Sequence, residues 1–249
     1  MFRGVTPASV VVPLSPPFLE YLMTGDTLVL PEVPPGHDYE DDDPPAAGAG
    51  DSSSSPTSSS SVTPPGPFPE EEAAVQAAID ELGGTVFVKV DWSSAADAVW
   101  ASGSLKCTTP GHAYQLLKVS DIVRHDMVHV YDDCDDGKPP DVDPPYTKCL
   151  VLRRWTPMAP AHEFRCFVQE GRIVGVSQRK TRQHFEFLAD EVPAHRAAID
   201  AFVLDVVSPK FPLASFAVDV YMAAGVPQLV DFGVFGGVTD PLLFTWEEL

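Results

Sequence analysis

The stretch SFAVDVYMAAGVPQLVDF, residues 215–232, reads as two strands and the loop that joins them. "SFAVDVY" (215–221) and "QLVDF" (228–232) carry apolar residues with period two, and "MAAGVPQ" supplies the glycine that hairpin loops favour. If Met222 opposes Gln228, then Val220 opposes Val230 and Asp219 stands across from Asp231. On this reading Phe216, Val218, Val220, Val230 and Phe232 face the core, and both aspartates point away from it. Unscreened like charges at facing positions destabilise a sheet. The pair therefore implies a raised pKa, a basic partner or a bound cation, and Mg2+ suits two hard oxygen donors when a phosphate completes its shell.

The same stretch contains Asp231-Phe232-Gly233, the triplet with which protein kinases hold magnesium. A kinase also needs a Gly-rich G-x-G-x-x-G loop early in the chain and H-R-D-x-x-x-x-N shortly before the triplet. Neither occurs, and Arg124-His125-Asp126 has the order scrambled and lies too early. A kinase is excluded.

Working outward, strand signals recur at "TVFVKV" (85–90), "KCLVLRRW" (148–155), "HEFRCFV" (162–168) and "RIVGVSQR" (172–179). Pro69 and the following "EEEAAVQAAIDELGG" predict a helix, with acids in its first turn and Gly83-Gly84 closing it. Its apolar face is Val75, Ala78, Ile79 and Leu82. Further helical candidates lie at 111–119 and 194–206, and 132–147, rich in Asp and Pro, reads as a loop. Without a βαβ rhythm or an internal repeat, the class is α+β.

Charges interrupt these strands on the face away from the core. Lys89 lies opposite Val86, Val88 and Val90, and Glu163 and Arg165 lie opposite Phe164, Cys166 and Val168. Arg153 and Trp155 share a face of the preceding strand. Solvated charges on an outer sheet face are the common alternative. That alternative weakens when Lys, Arg, Glu and two Asp all interrupt apolar strands, with Trp92, Trp100 and Trp155 close by in sequence. Basic groups for phosphates, paired acids for magnesium and aromatics for a base describe a nucleotide site.

The 249 residues carry a formal net charge of -20, which argues against a nucleic-acid backbone or an anionic membrane as main partner. Residues 34–68, acidic and then rich in Ser and Pro, read as a disordered insertion, since they bury too little apolar surface to offset their ordering entropy. The expected organisation is an N-terminal segment 1–33 packing on the body, the insertion 34–68, a first lobe 69–145 and a second lobe 146–249. No apolar run reaches the roughly 18 residues a membrane span needs, and the proline-rich start lacks a signal cleavage site. Cys107, Cys134, Cys149 and Cys166 show no C-x-x-C or zinc spacing, which fits a soluble, reducing, intracellular setting. There is no P-loop and no G-x-S-x-G elbow. His125 and His129 are four apart without an indicated third ligand, and Cys166 reads as packing rather than nucleophile.

Collected together, "FLEYLMTGDTLVL", "LGGTVFVKVDWS", "SLKC", "LVLRRW", "EFRCFV", "GVSQR", Asp219-Val220-Tyr221 and "VTDPLLFTWEEL" resemble the cell-division-cycle protein 123 family of eukaryotes. The resemblance covers nearly the whole chain outside the insertion. It implies an ATP-grasp-like fold, two α+β lobes whose antiparallel sheets clamp ATP and Mg2+. It also implies a cytoplasmic assembly factor that binds the gamma subunit of eukaryotic translation initiation factor 2; the chain itself is expected to be a monomer. Carried over by position, Lys89 would approach the phosphates, and Asp91 and Trp92 would lie in the following loop. Arg153, Arg154 and Trp155 would border the nucleotide with Glu163 and Arg165, and Asp219 and Asp231 would hold magnesium. Two departures stand out. The family usually reads Asp-Phe-Asn-Pro where this chain has Asp231-Phe232-Gly233-Val234, and commonly has an acid at Lys180. The first implies a missing amide-oxygen ligand, which water replaces at lower affinity. An ATP-grasp carboxylate–amine ligase and a binding module with a degenerate nucleotide site are the other readings. No acceptor site or general base is evident for the ligase.

Overall fold

The computed structural model describes residues 2–24, 68–129 and 147–249. The insertion expected at 34–68 and the loop expected at 132–147 lie, but for their last residues, outside them. Helices and antiparallel strands mix as the α+β reading expects, in two four-stranded sheets.

The first sheet joins β1 (Ser9–Pro13), β2 (Val86–Val90), β3 (Ser93–Ser94) and β4 (Cys149–Arg154) in the order β1-β4-β2-β3. Four helices pack on its apolar face: α1 (Pro16–Met23), α2 (Pro69–Glu81), α4 (Pro110–Val119) and α5 (Asp121–Val128); a short α3 (Val99–Ser102) precedes α4. Their starts are set locally, since the side chains of Ser15, Thr109 and Ser120 accept hydrogen bonds from N–H groups of the first turns of α1, α4 and α5. Val86, Val88, Val90, Leu150 and Leu152 meet Phe18, Val75, Ile79, Leu116 and Leu117 in one core. β4 falls within the stretch assigned from sequence to the second lobe, yet it hydrogen-bonds at the centre of the first sheet, between β1 and β2. A strand read in isolation says nothing of which neighbours will pair with it.

The second sheet joins β5 (Glu163–Gln169), β6 (Arg172–Gln178), β7 (Phe216–Ala223) and β8 (Val226–Gly233) in the order β6-β5-β7-β8. Helix α6 (Leu188–Phe202), prolonged by a π-helical turn at Val203–Val207, covers its apolar face. The helix begins before the expected 194, at Leu188, and takes Pro193 into its second turn. An interior proline forfeits its own N–H bond and crowds the carbonyl four residues back, costs that packing of Ile199, Phe202 and Val203 against the sheet offsets.

The hairpin corrects one detail of the expected register. Met222 pairs with Pro227, Tyr221 with Gln228 and Val220 with Leu229, one residue away from the expected pairing. A β-bulge then makes Val230 the extra residue and restores Asp219 opposite Asp231. Leu229, 2% exposed, takes the core position expected of Val230.

The N-terminal segment ties the two sheets together, and the C-terminal one packs on the second alone. The Val5 carbonyl accepts a hydrogen bond from Leu229 N at 2.8 Å, and the Phe2 ring lies 5.3 Å from that of Phe232. A few residues later the same segment becomes β1 of the other sheet, so residues 2–13 span both. Phe244 and Trp246 pack edge-on against Phe167, on the sheet face away from α6. Gly175 leaves room for that approach: a Cβ there would crowd Phe244 Cε2 at 3.0 Å and displace the end of the Leu249 side chain.

Candidate functional site

The faces of the two sheets that their helices leave uncovered look toward each other across a cleft of about 410 Å³. Phe87, Leu105, Met158 and Val230 give it apolar walls, and Arg153, Arg154, Trp155, Glu163, Asp219 and Asp231 line it as well. Of the residues expected at a site, those six are therefore brought together. Lys89 and Arg165 stand behind them, bonded to the two aspartates.

The carboxylate pair is neutralised by basic side chains. Asp219, 7% exposed, accepts from Arg165 Nε at 2.8 Å and Nη2 at 3.0 Å, and pairs with Arg179 Nη1. Asp231 Oδ2 accepts from Lys89 Nζ at 2.7 Å. Lys89 belongs to β2 and Asp231 to β8, so this bond crosses from one sheet to the other. Arg153 Nη1 makes a second crossing, donating to the Val230 carbonyl that the bulge presents. Of the three readings of the paired aspartates, a basic partner is realised. The geometry explains why the pair is tolerated: β5 sets Arg165 directly opposite Asp219, and β7 sets Asp219 directly opposite Asp231.

Burial works against the charged form of Arg165, but the bond and the charge of Asp219 outweigh it and hold the guanidinium more firmly protonated. Burial raises the Glu163 carboxyl; Arg179 and Lys180 pull it down, and Asp219 pushes it up again. Burial raises the Cys166 thiol strongly, which fits its place in the core.

Other expected residues stand elsewhere. Asp91 occupies the turn after β2 with φ of 32°, and its Oδ1 accepts from Cys149 N at 2.9 Å. Burial raises its carboxyl, against the pull of that N–H and of Lys148. Trp92 and Trp100 are 61% and 75% exposed and do not line the cleft, whereas Trp155 does. Arg179 was missed by the sequence reading. The signal was present: Ser177 pairs with Arg165, so Arg179, two residues on, shares the face of Arg165. Gly233 pairs with Ala217 on the aspartate face, and a Cβ there would meet Thr239 Oγ1 at 3.2 Å. A larger side chain at 233 requires the buried Thr239 to give way.

A family model described as D123 matches residues 1–249. The chain belongs to the D123 family. Among its relatives, the translation initiation factor eIF2 assembly protein of Xenopus laevis is 38% identical over 253 residues, covering 100% of this chain and 73% of that protein. Cell division cycle protein 123 of Phaeosphaeria nodorum is 36% identical, covering 100% of this chain and 65% of that protein. The solved structure of Cdc123 from Schizosaccharomyces pombe superposes with a TM-score of 0.77 at 33% identity, over 99% of this chain and 85% of that one. The D123 fold is therefore the fold of this chain, and the family resemblance read from the sequence is borne out.

Proposed function

We propose that this D123-family chain binds ATP with Mg2+ in the cleft between its sheets and acts as an assembly factor for eukaryotic translation initiation factor 2, through the gamma subunit. The arrangement is read as ATP-grasp-like, with the lobe boundary after β4 rather than at 146. One observation carries the nucleotide reading: Lys89, Arg165 and Arg179 converge on two facing aspartates at the cleft between the sheets. The donor set fits Mg2+, since Asp219 and Asp231 are hard oxygen donors that share one sheet face. It fits polyphosphate too, because the three cations would turn from carboxylate to phosphate once a metal ion neutralises the aspartates. Trp155 and the apolar walls suit a base. The names of the relatives support the assembly role, and the protein is taken to work in the cytoplasm as a monomer. Among the described residues no helix is long and apolar enough to cross a membrane.

Isothermal titration of ATP with and without Mg2+ tests the site, with Asp231→Asn as the variant. Asparagine keeps an oxygen for Lys89, whereas alanine strands a buried ammonium and risks a loss of fold. The wild type is expected to bind only with Mg2+, and Asp231→Asn to lose that dependence. Undiminished Mg2+-dependent binding in the variant retires the metal assignment, and absence of binding to the wild type retires the nucleotide site. Capture of the isolated gamma subunit by the purified chain tests the partner, and failure to retain it removes that assignment.

A further inference from the structure

Behind the second sheet, on the side away from the cleft, His162, Glu191 and His195 come together. His162 closes the 3-10 turn that leads into β5; Glu191 and His195 lie one turn apart on α6. Among the described residues this is the one set of three His, Cys, Asp or Glu side chains whose ligand atoms lie within 4.8 Å of one another. The cleft acids do not form such a set.

We propose that these three side chains bind a transition-metal ion of the Zn2+ class. Ligands about 2.1 Å from a shared zinc stand roughly 3.4 Å apart. His195 Nε2 and Glu191 Oε2 are already 3.6 Å apart, too far for a hydrogen bond and close to the spacing a common ion imposes. The imidazoles are also short of protein partners. His195 is 7% exposed with its Nε2 toward Glu191, and the Nδ1 atom of His162 is buried with no hydrogen-bond partner. Buried ring nitrogens are ordinarily satisfied.

The surroundings favour imidazole ligation. Phe164 packs edge-on to His195 at 5.6 Å and Phe187 lies 5.7 Å from His162, so the rings sit in an apolar shell. The Glu191 side chain is 44% exposed and opens a path for the ion. Two imidazoles and one carboxylate suit Zn2+ or Co2+, not Mg2+ or Ca2+, which take mainly oxygen. Glu163, the residue after His162, lines the cleft, so the ion would pin α6 to the strand end that carries a cleft acid.

The test uses the full chain stripped with chelator and titrated with Co2+ and Zn2+. One equivalent is expected to bind, with visible absorption of low-coordinate Co2+ and a rise in melting temperature on adding Zn2+. Glu191→Gln, at an exposed position, and His162→Asn, at a half-buried one, should weaken binding at least roughly tenfold, the loss that even an outer-shell partner can cause. The control replaces His125 and His129, whose rings lie 4.9 Å apart at a 33° tilt at the end of α5 and offer a competing pair. Binding lost in that control but retained in the other two variants overturns the proposal. So does a wild type that takes up no Co2+ and whose melting Zn2+ does not shift.

Discussion

Lys89 brings an ammonium into a position 4% exposed, and its bond to Asp231 is what makes that position tenable. Glu163 sits at the rim of the same cleft without a comparable partner, and burial raises its carboxyl against the pull of Arg179 and Lys180. An acid whose folded pKa lies above its unfolded value holds its proton more tightly in the folded state. Ionising it then costs stability, beginning as pH rises past the ordinary 4.5 and complete above the folded value. Glu163→Gln removes that cost. The variant is expected to melt above the wild type at neutral pH, with the gap closing as pH falls below 4.5, checked by thermal melts across pH. A gap that persists unchanged in acid would assign the effect to packing instead.

At the scale of elements, the N-terminal segment works as a staple. Phe2 and Val5 rest on the second core, and β1, a few residues later, closes an edge of the first sheet. Phe2→Ala removes a half-buried ring and is expected to cost about 1–2 kcal/mol, less than the roughly 3–5 of a fully buried phenylalanine. Chemical denaturation checks the magnitude, and an unchanged midpoint would remove the staple. β8 shows the limits of reading one strand alone. Its apolar period was legible, but the bulge at Val230 was not, because an extra residue appears only when the partner strand is counted. The facing aspartates emerge from two offsets that cancel. α6 starts six residues before the expected 194 and takes Pro193 inside it, where local propensity disfavours proline and tertiary packing overrides it.

For the whole molecule, a net charge of -20 sets the kind of encounter the chain favours. Steered by that field, association with a basic partner surface should be fast at low ionic strength. It should slow by about tenfold or more toward physiological salt, with dissociation changing less. Stopped-flow mixing with the gamma subunit across salt concentrations measures this, and a salt-independent association rate would show that the acidic charge lies away from the interface.

What the sequence determined by itself is six of the eight strands, all but β1 and β3, with most of their apolar faces and the residues that interrupt them. Side-chain alternation is a local property, so Lys89, Arg165, Asp219 and Asp231 could be placed off the core without coordinates. The tertiary structure alone decided which sheet β4 joins, that Lys89 reaches across to Asp231, and that Arg179 shares Asp219 with Arg165. It alone brought His162 to Glu191 and His195. Those contacts join residues far apart in the chain, and only the packing of helices behind each sheet fixes which faces meet.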